Sequence, residues 1–163
     1  MPAAGELVLG LNAVTAENTG TTATPVYEIL TNTKDETLNM ETALSDVTTR
    51  AAKGWRLQVP TLSDASVDTQ MLYLAQDPVL LRFQTAFLDK ARILMGFFDG
   101  DPDEADTDNK VSGLIGGFSI TNFSTNRSLE EAMMIDVTFT VREDDTGAGP
   151  QWVNLDAPPT PPV

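Results

Sequence analysis

The chain contains neither cysteine nor histidine among its 163 residues. Without cysteine it can form no disulfide and offer no thiolate nucleophile, and without histidine it lacks the usual general base and a common zinc ligand. Catalysis would have to rest on carboxylates, lysine or hydroxyls, and no nucleophile or nucleotide-binding motif accompanies those groups. We therefore expect a protein that is not an enzyme and that uses no metal or cofactor.

Positive charge and long apolar runs are also scarce. The chain has ten Lys and Arg residues and 24 Asp and Glu residues, which gives a net charge of −14. A negative net charge disfavours tight DNA binding, because such binding depends on Lys and Arg residues that contact the phosphates. No run approaches the roughly 20 apolar residues of a membrane span, and Glu6 interrupts the apolar N-terminal stretch. We expect a soluble protein made in a cytoplasm, without membrane contact or tight DNA binding.

What the sequence does contain is typical of one folded domain. The hydrophobic fraction of 41% is ordinary for a globular protein. The last residues, DAPPTPPV, are rich in proline and cannot join the interior of a sheet. The predicted organisation is one domain over residues 1–155, followed by an extended tail over residues 156–163.

Alternating apolar and polar residues predict a chain made mainly of strands. The clearest case is MIDVTFTVR, residues 134–142, in which every second side chain is apolar. Helical spacing occurs only in residues 77–90, with Asp77 as N-cap, Pro78 in the first turn and Leu80, Phe83 and Phe87 as the apolar stripe. These patterns predict an antiparallel β-sandwich or barrel with one α-helix. The predicted strands are 7–12, 25–30, 56–59, 66–74, 92–98, 114–124 and 134–142.

Two polar segments stand out between the predicted strands. Residues 31–54 are long, polar and weakly periodic, which predicts a functional or flexible loop. Residues 99–110, the acidic loop, carry six acidic residues. Asp99, Asp101 and Asp103 match the first three ligand positions of a calcium-binding EF-hand loop, but Glu104 and Lys110 replace its required glycine and glutamate. We expect a solvated inter-strand loop there rather than a calcium site.

The order of these elements resembles a known family. The resemblance lies in DVTTRAAKGWRLQVPTLSDASVDTQM (46–71), GFFDGD (96–101), GLIGGFSITNFSTNRSLEEAMMIDVTFTVRED (113–144) and PQWV (150–153). This series is similar to the major tail protein, or tail tube protein, of long-tailed, siphovirus-type bacteriophages. The resemblance implies a virion protein, assembled in the host cytoplasm, that forms stacked hexameric rings and lets DNA pass through without tight binding. The implied partners are further copies of the chain and the tape measure, tail tip and terminator proteins.

The resemblance also suggests which residues make contacts. It implies that the loop 31–54 reaches a neighbouring subunit or ring, with Arg50, Lys53, Trp55 and Arg56 as inter-subunit contacts. A second interpretation stays open, in which Trp55 covers the core of its own subunit and the basic residues hold Asp46 or Asp64.

The resemblance also implies a channel through the tube, whose wall would be formed by the polar side of some of the strands. The candidates for lining it are Asp68, Gln70, Asp136, Thr138 and Thr140. The other interpretation is that these residues only face solvent. Two further functions remain alternatives: a tube subunit of a contractile injection or secretion apparatus, and a β-sandwich module that binds a glycan or ion.

Overall fold

Antiparallel strands dominate the computed structural model, which describes residue 7 and residues 9–159. Short 3₁₀ turns occur at Gly10–Asn12, Arg50–Ala52 and Pro102–Glu104. The prediction of a mainly β fold with one α-helix is confirmed for the described residues. The elements are β1 (Val14–Asn18), β2 (Tyr27–Ile29), β3 (Thr33–Asp46), β4 (Gln58–Leu72), α1 (Pro78–Asp89), β5 (Ile93–Phe98), β6 (Val111–Asn126), β7 (Met134–Arg142) and β8 (Gln151–Leu155).

The strands form one curled sheet in the order β2-β1-β5-β6-β7-β4-β3, with β8 paired to β6 outside this path. Every pairing is antiparallel. The first half of β6 lies between β5 and β8, and its second half pairs with β7. Thr15 on β1 donates a side-chain hydrogen bond to Glu36 on β3, although these strands are far apart in the order. The sheet therefore curls back on itself and encloses a core.

The main core fills the inside of this curl. Alternate residues of β4 and β7, such as Val67, Met71, Val137 and Phe139, point inward and are essentially inaccessible. The ring of Phe139 packs edge-on against Phe83 of α1, with centroids 5.4 Å apart. Burial of these side chains is the main stabilising contribution to the fold.

Helix α1 covers the core with Leu80 and Phe83 of the predicted apolar stripe and with Val79 and Ala86, whereas Phe87 of that stripe is partly exposed. Asp77 accepts a hydrogen bond from the backbone N–H of Val79 at 3.0 Å, and Lys90 ends the helix in a left-handed conformation. Arg82 ties the helix to the sheet through ion pairs with Glu17 and Glu28, each at 2.6 Å. None of the helices in the described part of the chain has the length and apolar character to cross a membrane.

A second, smaller core lies on the other face of β1, β5 and β6. It contains Ala16, Phe98 and Val111 and is covered by the acidic loop, whose Pro102 and Ala105 are buried. This packing is the structural role of the acidic loop.

Three sequence expectations differ from the structure. Residues 10–12 of the predicted strand 7–12 form a 3₁₀ turn, and the first strand is β1. Within the predicted loop 31–54, residues 33–46 form β3, whose backbone groups are satisfied by pairing with β4. The separately predicted strands 56–59 and 66–74 are parts of one strand, β4. In the predicted tail, residues 156–159 are irregular and residues 160–163 lie outside the described part.

Candidate assembly surfaces

The five predicted channel residues lie together on one face of the sheet. In the register of β4 and β7, Asp68 is opposite Thr138, and Gln70 is opposite Asp136. Thr138 Oγ1 donates to Asp68 Oδ1 at 2.7 Å, and Gln70 Nε2 donates to Asp136 Oδ1 at 3.1 Å. Thr140 continues the same face along β7. Strand alternation thus produces a hydrogen-bonded polar surface directly behind the main core.

This surface extends onto the strands on either side. Asp35 pairs with Gln70 and Thr37 with Asp68 across β3, while Asn122 pairs with Thr138 across β6. The residues named below include three carboxylates and no lysine or arginine, and Arg142, the next residue on this side of β7, pairs with Glu143. Such a surface is unsuited to binding phosphate groups. We call it the polar face; its residues are Asp35, Thr37, Asn39, Ser66, Asp68, Gln70, Asn122, Ser124, Asp136, Thr138 and Thr140.

Two open strand edges flank the polar face. Among the described residues, β3 pairs only with β4. Residues 119–126 of β6 pair only with β7, because β5 and β8 stop alongside the first half of that strand. The section β3-β4-β7-β6 therefore presents unpaired backbone N–H and C=O groups on both sides. Such edges are templates for pairing with another chain.

A β-hairpin extends beyond the body of the protein. Its residues 40–64, which we call the arm, comprise the outer parts of β3 and β4 and the turn 47–57. All but Ala52 are exposed, so neither face of the arm is covered by its own subunit. The arm nevertheless carries many large apolar side chains, which is typical of an interaction surface. They are Met40, Leu44, Val47, Trp55, Leu57, Val59 and Leu62.

The tip of the arm holds all four predicted contact residues. Lys53 and Gly54 adopt positive φ angles of 50° and 88°, which turn the chain after Arg50. The side chain of Trp55 is exposed, with the residue 76% accessible, so the interpretation in which it covers its own core is wrong. Arg56 does pair with Asp46, at 3.2 Å, as the second interpretation expects.

Asp46 itself is held in its charged form by its neighbours. The hydroxyl and the backbone N–H of Thr48, and then Arg56, keep the pKa of this carboxyl below its usual range. The ion pair is exposed and joins the last residue of β3 to the turn, two residues before β4 begins. It leaves Arg50 and Lys53 as tip cations outside any ion pair among the described residues.

Three carboxylates of the acidic loop accept hydrogen bonds from backbone N–H groups of the loop itself or of β6. Asp99 accepts from the N–H of Ser112 at 2.8 Å, Asp101 accepts from Asp103 N–H at 2.9 Å, and Asp106 accepts from Asn109 N–H at 2.6 Å. In the described part of the chain, no three His, Cys, Asp or Glu side chains are arranged to hold a metal ion. These hydrogen bonds stabilise the conformation of the loop, so Asp99, Asp101 and Asp106 have a structural role.

Sequence reasoning missed the contribution of β3 to both surfaces. Asp35 and Thr37 belong to the polar face, and Met40 and Leu44 belong to the arm. The available signal was the i, i+2 spacing of Leu38 and Met40 inside a polar run. Their pairing with β4 is what reveals their position.

Comparison with known proteins places this geometry in context. No protein-family model and no curated protein matches the chain. A chain from the tail of an empty gene transfer agent particle, obtained by helical refinement with C6 symmetry, aligns with a TM-score of 0.65 and 15% identity. The alignment covers 89% of this chain and 98% of that one. This chain has a tail-tube fold.

Two further structures share the tail-tube fold. A chain in the virion of the native gene transfer agent aligns with a TM-score of 0.64 and 15% identity over 89% of this chain and 98% of that one. The SPP1 tail tube, from solid-state NMR and cryo-EM, gives a TM-score of 0.66 and 12% identity over 91% of this chain and 79% of that one. The fold implied by the sequence resemblance is confirmed.

Proposed function

We propose that the protein is a structural subunit that assembles into stacked hexameric rings and forms the tail tube of a phage-like particle. In this function it acts by self-assembly, without catalysis or cofactor, and DNA passes through the tube during ejection. The observation that carries the proposal is the four-stranded section β3-β4-β7-β6, which has a polar face and two open edges. The tail-tube fold supports it, as does the C6 symmetry stated for one structure with that fold.

Ring closure follows from the two edges. The edge of β3 in one copy pairs with the β6 edge, residues 119–126, of the next copy. Because two different edges meet, the contact is heterologous, and such contacts close into a ring when the rotation per copy allows it. A ring of six copies then forms a continuous barrel in which the β6 edge and the part of the β3 edge beside it are paired.

The polar face lines the channel of this barrel. Asp35, Asp68 and Asp136 give three carboxylates per copy, so a ring of six copies carries eighteen. Duplex DNA carries one negative charge per ~1.7 Å of its axis. Like charges on wall and cargo prevent adhesion, which suits a conduit through which DNA must slide.

The arm provides contacts to further copies, and the virion is the site of action. Assembly takes place in the host cytoplasm, with the tape measure, tail tip and terminator proteins as partners that set where the tube starts and ends. The exposed tip residues Arg50, Lys53, Trp55 and Arg56 are the inter-subunit contacts in this proposal.

Electron microscopy of the purified protein over a concentration series tests the proposal, with sedimentation on the same samples. We expect hollow tubes or stacked six-fold rings above a critical concentration. A protein that stays monomeric at every concentration, and also fails to extend sonicated fragments of virion tails, is not a tube subunit.

A further inference from the structure

Two apolar side chains are left partly uncovered at the open edges of the section β3-β4-β7-β6. Phe123 on β6 packs against the main core and stacks on Phe87 of α1, with ring centroids 6.2 Å apart, but is only half-buried. Met40 on β3 lies on the same side of the sheet, two residues beyond Leu38, and is 60% exposed. Each of these side chains therefore offers apolar surface to a neighbouring copy.

The direction of the strands decides how the two edges can meet. The three pairings that lead from β3 through β4 and β7 to β6 are antiparallel, so β3 and β6 run in opposite directions. A rotation about the channel axis keeps the direction of each strand along that axis. The β3 edge of one copy therefore lies antiparallel to the β6 edge of the next copy in the same ring. The polar face stays continuous only if the register changes in steps of two residues.

Pairing within one copy shows which residues of the two edges lie at the same level. Glu36 on β3 is opposite Thr69 on β4. Val137 on β7 is opposite both Thr69 and Phe123, so Glu36 and Phe123 lie at one level. If Glu36 also met Phe123 of the next copy, the barrel would have no stagger, although a closed barrel needs one because its strands are tilted by about 35–45°. That register would also place a carboxylate against an aromatic ring.

The tilt distinguishes the remaining registers. With four strands per copy, a shift of two residues gives a tilt of about 19° and a shift of four gives about 35°, from a rise of about 3.3 Å per residue and a strand spacing of about 4.8 Å. Only the larger shift falls in the usual range. It is made toward the arm, since β3 begins at Thr33 and the opposite shift would leave half of the β6 edge without a partner. Phe123 then lies opposite Met40.

The side chains on the core side match in this register. Met40 faces Phe123, and Glu36 reaches the level of Arg127, which lines the groove between α1 and β6 together with Phe123. Glu36 accepts a hydrogen bond from Thr15 of its own copy. Neither Glu36 nor Arg127 takes part in an ion pair among the described residues. An apolar pair and a pair of opposite charges thus lie side by side along one edge.

Three other carboxylates occur around Arg127. Asp77 lines the same groove, and both of its carboxylate oxygens already accept hydrogen bonds, one of them from the backbone at the start of α1. Glu130 and Glu131 follow in the connection between β6 and β7 and do not line the groove. Because these carboxylates also attract Arg127, its pairing with Glu36 is a secondary contribution. The contact of Met40 with Phe123 is the main one.

We propose that the β3 edge of one copy pairs with the β6 edge of the next copy in the register that sets Met40 against Phe123. On the polar face, the same register places Asn39 opposite Ser124. The proposal rests on the proposed function and identifies the residues that fix how neighbouring copies in one ring meet. Since tilt, stagger and size of a barrel are linked, this register also sets the width of the channel.

A set of cysteine pairs tests the register, because the chain has no cysteine of its own. Ser124→Cys is combined in turn with Asn39→Cys, Thr37→Cys and Asp35→Cys, which correspond to shifts of four, two and no residues. Within one copy, β4 and β7 separate β3 from β6 by about 14 Å, at about 4.8 Å per strand, whereas a disulfide needs Cα atoms within about 7 Å. Disulfides can therefore form only between copies.

Tubes of each variant are oxidised, and the linked copies are separated on a denaturing gel. We expect Asn39→Cys with Ser124→Cys to cross-link at least fivefold faster than the other two pairs and to give a ladder that ends at six for a closed ring. Fastest cross-linking with Thr37→Cys or Asp35→Cys overturns the proposal, as do intact tubes in which no pair cross-links. If the unmodified protein forms no tubes, the proposed function itself fails.

A double-mutant cycle tests the contact of Met40 with Phe123 without cysteines. The critical concentration for tube formation is measured by sedimentation for Met40→Ala, for Phe123→Ala and for both together. We expect the combined increase to be at least threefold smaller than the product of the two single increases, because both substitutions remove the same contact. Urea unfolding of the monomers should show additive effects, since two strands separate these residues within one copy.

Leu44→Ala with Phe123→Ala is the matched control for this cycle. Leu44 is 58% exposed on the same strand but lies further along the arm than Met40. Its increase in critical concentration should multiply with that of Phe123→Ala. Simple multiplication for Met40 with Phe123, or an equal shortfall for Leu44 with Phe123, overturns the proposed register.

Discussion

Replacing Met40 and Leu44 by serine should prevent tube growth without affecting the folded monomer. Both side chains lie on the side of β3 that faces the core further along the strand, where Leu38 packs against the main core. Beyond Leu38 the body ends, and Met40 and Leu44 stay 60% and 58% exposed. Most of each side chain is therefore available for contact with another copy.

The expected magnitude follows from these exposed fractions. Complete burial of a leucine or methionine side chain contributes about 1.5–3 kcal/mol. About three-fifths of each is still available, so covering both by a second copy contributes about 2–3.5 kcal/mol per arm. At 1.4 kcal/mol per tenfold change, the critical concentration should rise by at least about 30-fold. The unfolding free energy of the monomer should change by less than about 0.5 kcal/mol.

Sedimentation over a concentration series measures the critical concentration, and urea unfolding of the monomer measures its unfolding free energy. Leu88→Ser is the matched control, because Leu88 is 70% exposed but lies on α1, away from the arm. We expect this control to assemble like the unmodified protein. An unchanged critical concentration for the double variant, or a clear loss of monomer stability, would refute the assignment of the arm to inter-subunit contact.

Three further changes test the fold itself by urea unfolding. Phe139→Ala should cost about 3–5 kcal/mol, because it removes an inaccessible ring from the main core. Gly117→Ala should lower the free energy of unfolding by about 1–3 kcal/mol, since its Cβ would overlap the carbonyl of Glu143. Unchanged stability would mean that the backbone at Glu143 can move away from β6. Asp144→Ala should flatten the pH dependence of stability in acid. Hydrogen bonds, first from the hydroxyl of Thr146, hold the pKa of Asp144 below its usual range, so the stability it contributes is present above its unfolded-state pKa and is lost as the pH falls through its folded-state pKa. A variant as acid-sensitive as the parent would contradict this.

Local patterns predicted the elements that have one buried and one exposed face. Alternation located β7, and the cap at Asp77 with its following proline located α1. The same alternation placed Asp68 and Gln70 on the polar side of one strand and Asp136, Thr138 and Thr140 on the polar side of another, and the pairing of β4 with β7 brings both sides onto one face.

The pattern failed where no face is buried by the subunit. The outer half of β3 lies in the arm, where only Met40 and Leu44 are large apolar residues among polar neighbours, so the alternation is too sparse to indicate a strand. Its strand conformation comes from pairing with β4, which is a property of two distant segments and not of either one. Strand β8 is only five residues long and was found through its pairing with the first half of β6.

Strand β6 contributes side chains to both hydrophobic cores and so couples the unfolding of one core to that of the other. Its side chains enter the main core through Leu114, Phe118 and Ile120 and the smaller core through Val111. The smaller core cannot lose β6 without exposing the larger one, and the reverse holds as well. We therefore expect the two cores of the described part to unfold together, and a force applied to the polar face to be passed along one continuous strand to the residues that the acidic loop covers.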